Sequence, residues 1–194
     1  MTEVTSKKYY TSACKAHELW LLQKEIDGEV PEAKRMRIKK KILRDPILAN
    51  YNLSEASFYK CGLVGIKCNG TNLRASHFHA CSLTDGIFFE CYLKRASFKY
   101  CNMTGTSFLA CDFDDIGKFE YAHLENAVFY NCKISGRLRF DGAVIKGTSF
   151  VGCNLSNTSF EAARIIGTIY MDSRSYDSLP DNQKETIKNK YDRI

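Results

Sequence analysis

The chain has 194 residues, and 28 Lys+Arg against 22 Asp+Glu leave a formal net charge of +6. That length suits one extended unit with short ends rather than two globular domains. No apolar run reaches about 18 residues and the N-terminus is polar through Lys15, so neither a membrane span nor a signal-peptide core is expected, and a cytoplasmic setting is.

From the N-terminus, residues 12–27 read as a helix with Leu19, Trp20, Leu22 and Ile26 on an apolar stripe and Gly28 as its stop. Pro31 opens a second predicted helix, Glu32 to about Arg44, ended by Asp45-Pro46. It carries Lys34, Arg35, Arg37, Lys39, Lys40, Lys41 and Arg44, a candidate patch for phosphates, an acidic membrane or an acidic protein. A solvated helix whose late cations complement the macrodipole is the preferred reading, and nucleic acid is disfavoured because few aromatics interleave.

From Leu48 an apolar residue recurs at every fifth position, a period that belongs to neither a helix nor a flat strand. The centres run from Leu48 and Leu53 through Phe58 and Leu63 to Phe113. They resume after one extra residue at Phe119, and after a second at Phe140, ending at Tyr170. Two residues before most centres sits a small side chain such as Ala56, Cys61, Thr71 or Ser76. A backbone that turns a corner in each repeat closes one square coil in four repeats, so residues twenty apart stack. Neighbouring coils then lie about 4.8 Å apart, and self-similarity of this kind marks a solenoid. Phe58, Phe78, Phe98, Phe119, Phe140 and Phe160 form one expected ladder; Phe88, Phe108, Phe129, Phe150 and Tyr170 form the opposite one. The two insertions, near Gly117 and near Arg137, fall at one corner of successive coils.

Ala56-Ser57-Phe58-Tyr59-Lys60 and Cys153-Asn154-Leu155-Ser156-Asn157 each read small, polar, Leu or Phe, polar, polar. This pattern resembles the pentapeptide-repeat protein family over about two thirds of the chain. The resemblance implies an all-β solenoid, a right-handed quadrilateral β-helix of about six coils. The expected division is a helical N-terminal cap over 1–45, the β-helix over 46–171 and a C-terminal helical tail over 172–194. A third helix is expected from Pro180 to about Asp192, with Ile187 and Tyr191 on one side. It serves as a cap or, as the resemblance implies, as a joint that pairs two rods end to end.

Seven of the nine cysteines share the small inward position. Cys91, Cys111, Cys132 and Cys153 make one expected ladder, and Cys61, Cys81 and Cys101 another. No C-x-x-C pair or zinc-ligand spacing joins them, so they read as small core residues, with no metal and no cofactor. His77 and His79 flank Phe78 and are expected to point outward. No phosphate loop, nucleophile elbow or carboxylate pair suggests an enzyme.

Outward positions stacked by twenties place Phe89, Leu109, Tyr130 and Val151 in register, flanked by Ile87, Val128 and Ile169. Such an apolar stripe marks an interaction face: for another protein, for a homodimer, or for a terminal helix of the same chain. The leading expectation is a non-catalytic scaffold that presents a rigid face, because a repeat fold supplies extended surface without needing a ligand. The resemblance also implies two specific partners. Gyrase-protecting relatives imitate the negative charge of DNA, and 12 Lys+Arg against 10 Asp+Glu between Leu48 and Tyr170 disfavour that role. A local acidic group of Asp112, Asp114, Asp115, Glu120 and Glu125 remains. The other implied role is a bacterial effector that recruits a host protein.

Overall fold

A computed structural model describes the chain except residues 1–2, 6, 28–34, 44, 114–116, 135 and 188–190. Corners make the solenoid. Two residues after an inward centre the backbone takes a left-handed φ, as at Lys60 (52°), Ala80 (52°), Tyr100 (60°) and Tyr121 (59°). That conformation is strained for most side chains and free for glycine. At Gly105 (φ 67°) the Asp85 carboxylate occupies the space a Cβ would take, so a larger residue there displaces it.

Between corners run parallel strands of two or three residues that pair with the coil above and below. Phe58 faces Phe78 and Phe88 faces Phe108, a register of twenty. Across the insertions the register becomes 21, with Gly117 opposite Leu138 and Phe129 opposite Phe150. Four sides result, in chain order the Phe58, Leu63, Cys68 and Leu73 sides, in a parallel β-solenoid of about six coils. The two insertions do share one corner, between the fourth and first sides.

The interior is a double ladder of rings. On the first side Phe58 and Phe78 stack at 4.7 Å, and Phe78 and Phe98 at 5.1 Å. On the third, Phe88 and Phe108 stack at 4.9 Å, and Phe129 and Phe150 at 4.9 Å. The ladders meet edge to face across the core, as in Phe98 with Phe108 at 5.6 Å and 72°. Each buried ring removes apolar surface worth roughly 1.5–3 kcal/mol, and each ring pair adds about 0.5–1.5 kcal/mol.

The structure corrects four expectations. The helix over 32–44 is absent where described: Arg37–Lys39 and Lys41–Leu43 are strands. Ile38 and Leu43 continue the five-residue period backward and are buried beneath Phe58 and Leu63, which outweighs the helical tendency of the flanking lysines. The solenoid thus begins within the segment assigned to the cap. At the far end Tyr170 is not the last centre. One more extra residue puts Met171 opposite Phe150, with Ile169 and Met171 inward and Tyr170 half-buried. The third helix is shorter than expected, and Tyr191–Arg193 pairs as a strand with Ile169–Met171, covering the row that the last coil leaves open. Finally, helix α1 (Lys7–Asp27) turns Tyr10, Cys14, His17 and Trp20 inward and leaves Leu19, Leu22 and Ile26 exposed.

Both ends of the solenoid are sealed by side chains that satisfy the unpaired backbone of the terminal coils. At the first coil His17 serves both polarities: its Nε2 donates to Ser54 O (2.7 Å) and its Nδ1 accepts from Met36 N–H (3.1 Å). Asn52 N–H donates to Glu18 Oε1 (2.8 Å), and Lys24 pairs with Glu55 (2.8 Å). At the last coil helices α2 (Ser173–Asp177) and α3 (Asp181–Ile187) do the same. Cys153 N–H donates to Ser175 Oγ, Leu155 N–H to Ser178 Oγ and Phe160 N–H to Gln183 Oε1.

Burial above all, with Arg35 nearby, holds the His17 pKa below the ordinary 6.5, although the bond to Ser54 opposes the shift. The unfolded chain therefore takes up this proton more readily than the folded one. His17 contributes its full stability above pH 6.5, and that contribution is lost as the pH falls below it. The expected result is a lower melting temperature at about pH 5.5 than at about pH 7.5, with a smaller difference in His17→Gln. His77, exposed but partly desolvated and near Arg35 and Lys118, is also lowered and adds a dependence of the same sign, which both proteins share.

Candidate interaction face

The third side presents two outward columns because each strand alternates its side chains. One column contains Ile87, Ser107, Val128, Ser149 and Tyr170; the other contains Asn69, Phe89, Leu109, Tyr130 and Val151. The expected stripe is therefore assembled in register. Ile87, Phe89 and Tyr130 are exposed, while Leu109, Val128 and Val151 are partly covered. Ile169 does not join them; it is buried. Helix α2 packs against the strand that ends at Val151, so the chain's own C-terminal cap reaches only the upper end of the stripe.

The basic cluster is divided rather than gathered. Arg37 and Lys39 lie on the first side, Lys40 at the following corner and Lys41 on the second side. Arg35 donates to Glu55 O, and Lys34 and Arg44 lie outside the described residues. In the acidic group, Glu120 is buried beside Lys99 (3.4 Å) and Arg139 (3.7 Å), Asp112 lies near Lys94 (3.8 Å), and Glu125 pairs with Lys146 (2.6 Å). Asp114 and Asp115 are outside the described residues.

All nine cysteines are buried and free. Volume is not the only reason for cysteine at the inward position. Each thiol there reaches down to a backbone carbonyl of the coil below: Cys91 to Cys68 O (2.9 Å), Cys111 to Phe88 O (3.2 Å), Cys132 to Phe108 O (3.3 Å). Thr71 and Thr106 make the same bond to Leu48 O and Leu83 O. Small size is what the position selects, as Ala56, Ala96 and Ala122 show, and where the residue is Cys or these Thr it adds a donor to the coil below. Cys14, with burial foremost, has its pKa pushed up to about 12, and hydrogen bonding from neighbouring sulfurs followed by burial pushes Cys111 and Cys153 up.

Elsewhere a groove lies at the top of the first side, lined by Arg137, Arg139, Asp141, Glu161 and Gln183. Arg139 is tied to Asp141 (2.7 Å), which also accepts from Ser159 Oγ (2.8 Å), and Gln183 is tied to the backbone. His77 is exposed and His79 half-buried, both outward, and among the described residues no His, Cys, Asp or Glu group converges as a metal site.

Two families described as pentapeptide repeats, of nine and eight copies, match residues 98–144 and 139–169. No curated protein matches the chain. Among solved structures, a pentapeptide repeat protein from the cyanobacterium Cyanothece 51142 is 20% identical over 52% of this chain and 64% of its own, with a TM-score of 0.29. This chain thus spans less than two thirds of that protein. QnrB1, a plasmid-mediated fluoroquinolone resistance protein, is 14% identical over 82% of this chain and 92% of its own, with a TM-score of 0.40. A pentapeptide repeat protein of the Arabidopsis thaliana thylakoid lumen is 19% identical over 74% and 78%, with a TM-score of 0.27. Values this low transfer no activity or partner.

Burial shields these thiols from reagents in the native state. Native-state labelling of Cys91, Cys111, Cys132 and Cys153 should be slow, and complete only on unfolding. Cys111→Ala, which removes the thiol bond to the Phe88 carbonyl, should cost about 0.5–1.5 kcal/mol in chemical denaturation, and Cys111→Ser less because its hydroxyl keeps a donor in place.

Proposed function

The chain is a pentapeptide-repeat protein, and we propose that it is a non-catalytic scaffold whose third side docks another protein. Ile87, Phe89, Leu109, Val128, Tyr130 and Val151 are the contact residues of this reading. Its support is the aligned exposure of large apolar side chains on successive coils: Phe89 is 39% exposed and Tyr130 48%. A patch of roughly a few hundred Å² is the size at which apolar surface on a monomer is commonly an interaction site. Strand pairing holds it flat and rigid, so little conformational entropy is lost on docking.

The nine free thiols suit a reducing compartment, and we place the protein in the cytoplasm. No helix among the described residues is long and apolar enough to cross a membrane.

Phe89→Glu combined with Tyr130→Glu tests the face. The expected outcome is loss of a captured protein partner, or of a homodimer by sedimentation, with stability within about 0.5 kcal/mol of the parent. Undiminished binding, or a monomer that melts markedly earlier, contradicts the docking role.

A further inference from the structure

The first side lies opposite the apolar stripe and carries a different surface. We propose that its lower half binds single-stranded nucleic acid. Among the described residues of this side, the outward and corner positions of the first four coils hold Arg37, Lys39, Lys40, Lys60, Arg95 and Lys99 and no acid above Glu55, which is held by Lys24. Lys39, Lys40 and Lys60 are exposed. Carboxylates enter only higher, with the buried Glu120 and then Asp141 and Glu161. The face is therefore polarised along the rod, and Lys99, 3.4 Å from Glu120, marks where the sign changes.

Beside the lysines runs an outer ladder of rings: Tyr59, His79, Tyr100 and Tyr121. Tyr59 and His79 stack at 5.5 Å and 8°, and Tyr100 and Tyr121 at 5.0 Å and 5°. Between the two pairs the ladder breaks, with His79 and Tyr100 at 5.2 Å but 66° apart. His79 and Tyr100 therefore do not stack face to face, and Tyr100 and Tyr121 are 51% and 54% exposed, so the upper rings present aromatic surface to solvent. Lys60 Nζ lies 5.3 Å from the Tyr59 ring centre, joining the cations to the ladder.

Cations that track a backbone, next to an open aromatic face, are what an unpaired nucleotide chain needs. Three coil spacings of about 4.8 Å give a basic strip of roughly 14 Å, room for two or three nucleotides. A duplex keeps its bases stacked inside and has no use for the ring face, and an acidic peptide uses the lysines alone.

The test is fluorescence anisotropy of the full chain with a labelled oligothymidylate of about 12 nucleotides, against a duplex of equal length and polyglutamate. Binding should weaken with salt at a log–log slope of about −2, near −0.7 for each of three phosphates neutralised. Lys39→Glu with Lys60→Glu should weaken binding about tenfold or more and flatten that slope. Tyr100→Ala should weaken it about fivefold or more with the slope kept, because a base loses its stacking partner and no charge changes. Unchanged melting curves confirm that the variants fold, and the three-ligand comparison on the unaltered protein needs no variant. Absence of binding at about 0.1 M salt, equal affinity for duplex or polyglutamate, or an inert Tyr100→Ala overturns the proposal.

Discussion

Everything in this rod depends on coils lying one strand spacing apart, because a single distance must serve backbone hydrogen bonds and ring stacking together. Leu73 N–H donates to Tyr92 O at 2.8 Å and Leu93 N–H to Asp112 O at 2.7 Å, while rings directly above one another sit about 5 Å apart. Strand spacing falls within the centroid separation that offset-stacked rings prefer, so neither contact is made at the expense of the other. Register then follows. A shift of one residue in a single coil places a polar side chain inside and an apolar one outside. The insertions are tolerated because each adds its residue at a corner, where no centre is displaced from its column.

A core that is complete in itself leaves the sides free, and the ends are the remaining difficulty. An open coil presents a row of unpaired amides and carbonyls, and the chain covers each row with side chains placed on helices. His17 is well suited to this task, since a neutral imidazole donates on one nitrogen and accepts on the other. Ser175, Ser178 and Gln183 supply acceptors at the opposite end. With both ends closed, the exposed differences between the sides are what distinguish this rod from any other of its kind. One side carries aligned apolar residues, and the opposite side carries lysines and rings.

The five-residue period made the coils, the Phe ladders and the apolar stripe legible, because spacings of 20 and 21 translate directly into stacking. Ile38 and Leu43 obey the same period, yet seven basic residues around them drew attention to charge and suggested a helix. Met171 follows Ile165 by six residues, as Phe119 follows Phe113, and the repeat of that interval was the available signal for a third insertion. The cap was harder to read. On α1 the more apolar residues, Leu19, Leu22 and Ile26, face solvent, while His17 and Cys14 go inward for hydrogen bonding and fit that hydropathy does not report. The outer ring ladder was also spaced by twenties. Its members are spread over two columns, Tyr59 and His79 in one and the corner residues Tyr100 and Tyr121 in the other, and only coordinates show that the rings meet.

Native-state hydrogen exchange measures the central claim, that coil-to-coil pairing over a stacked core forms one cooperative unit. The amides of Leu73, Leu93 and Phe113, each bonded to the next coil, should exchange together and most slowly, with protection falling toward both capped ends. Fast exchange at these central amides, while the terminal coils stay protected, would contradict the account.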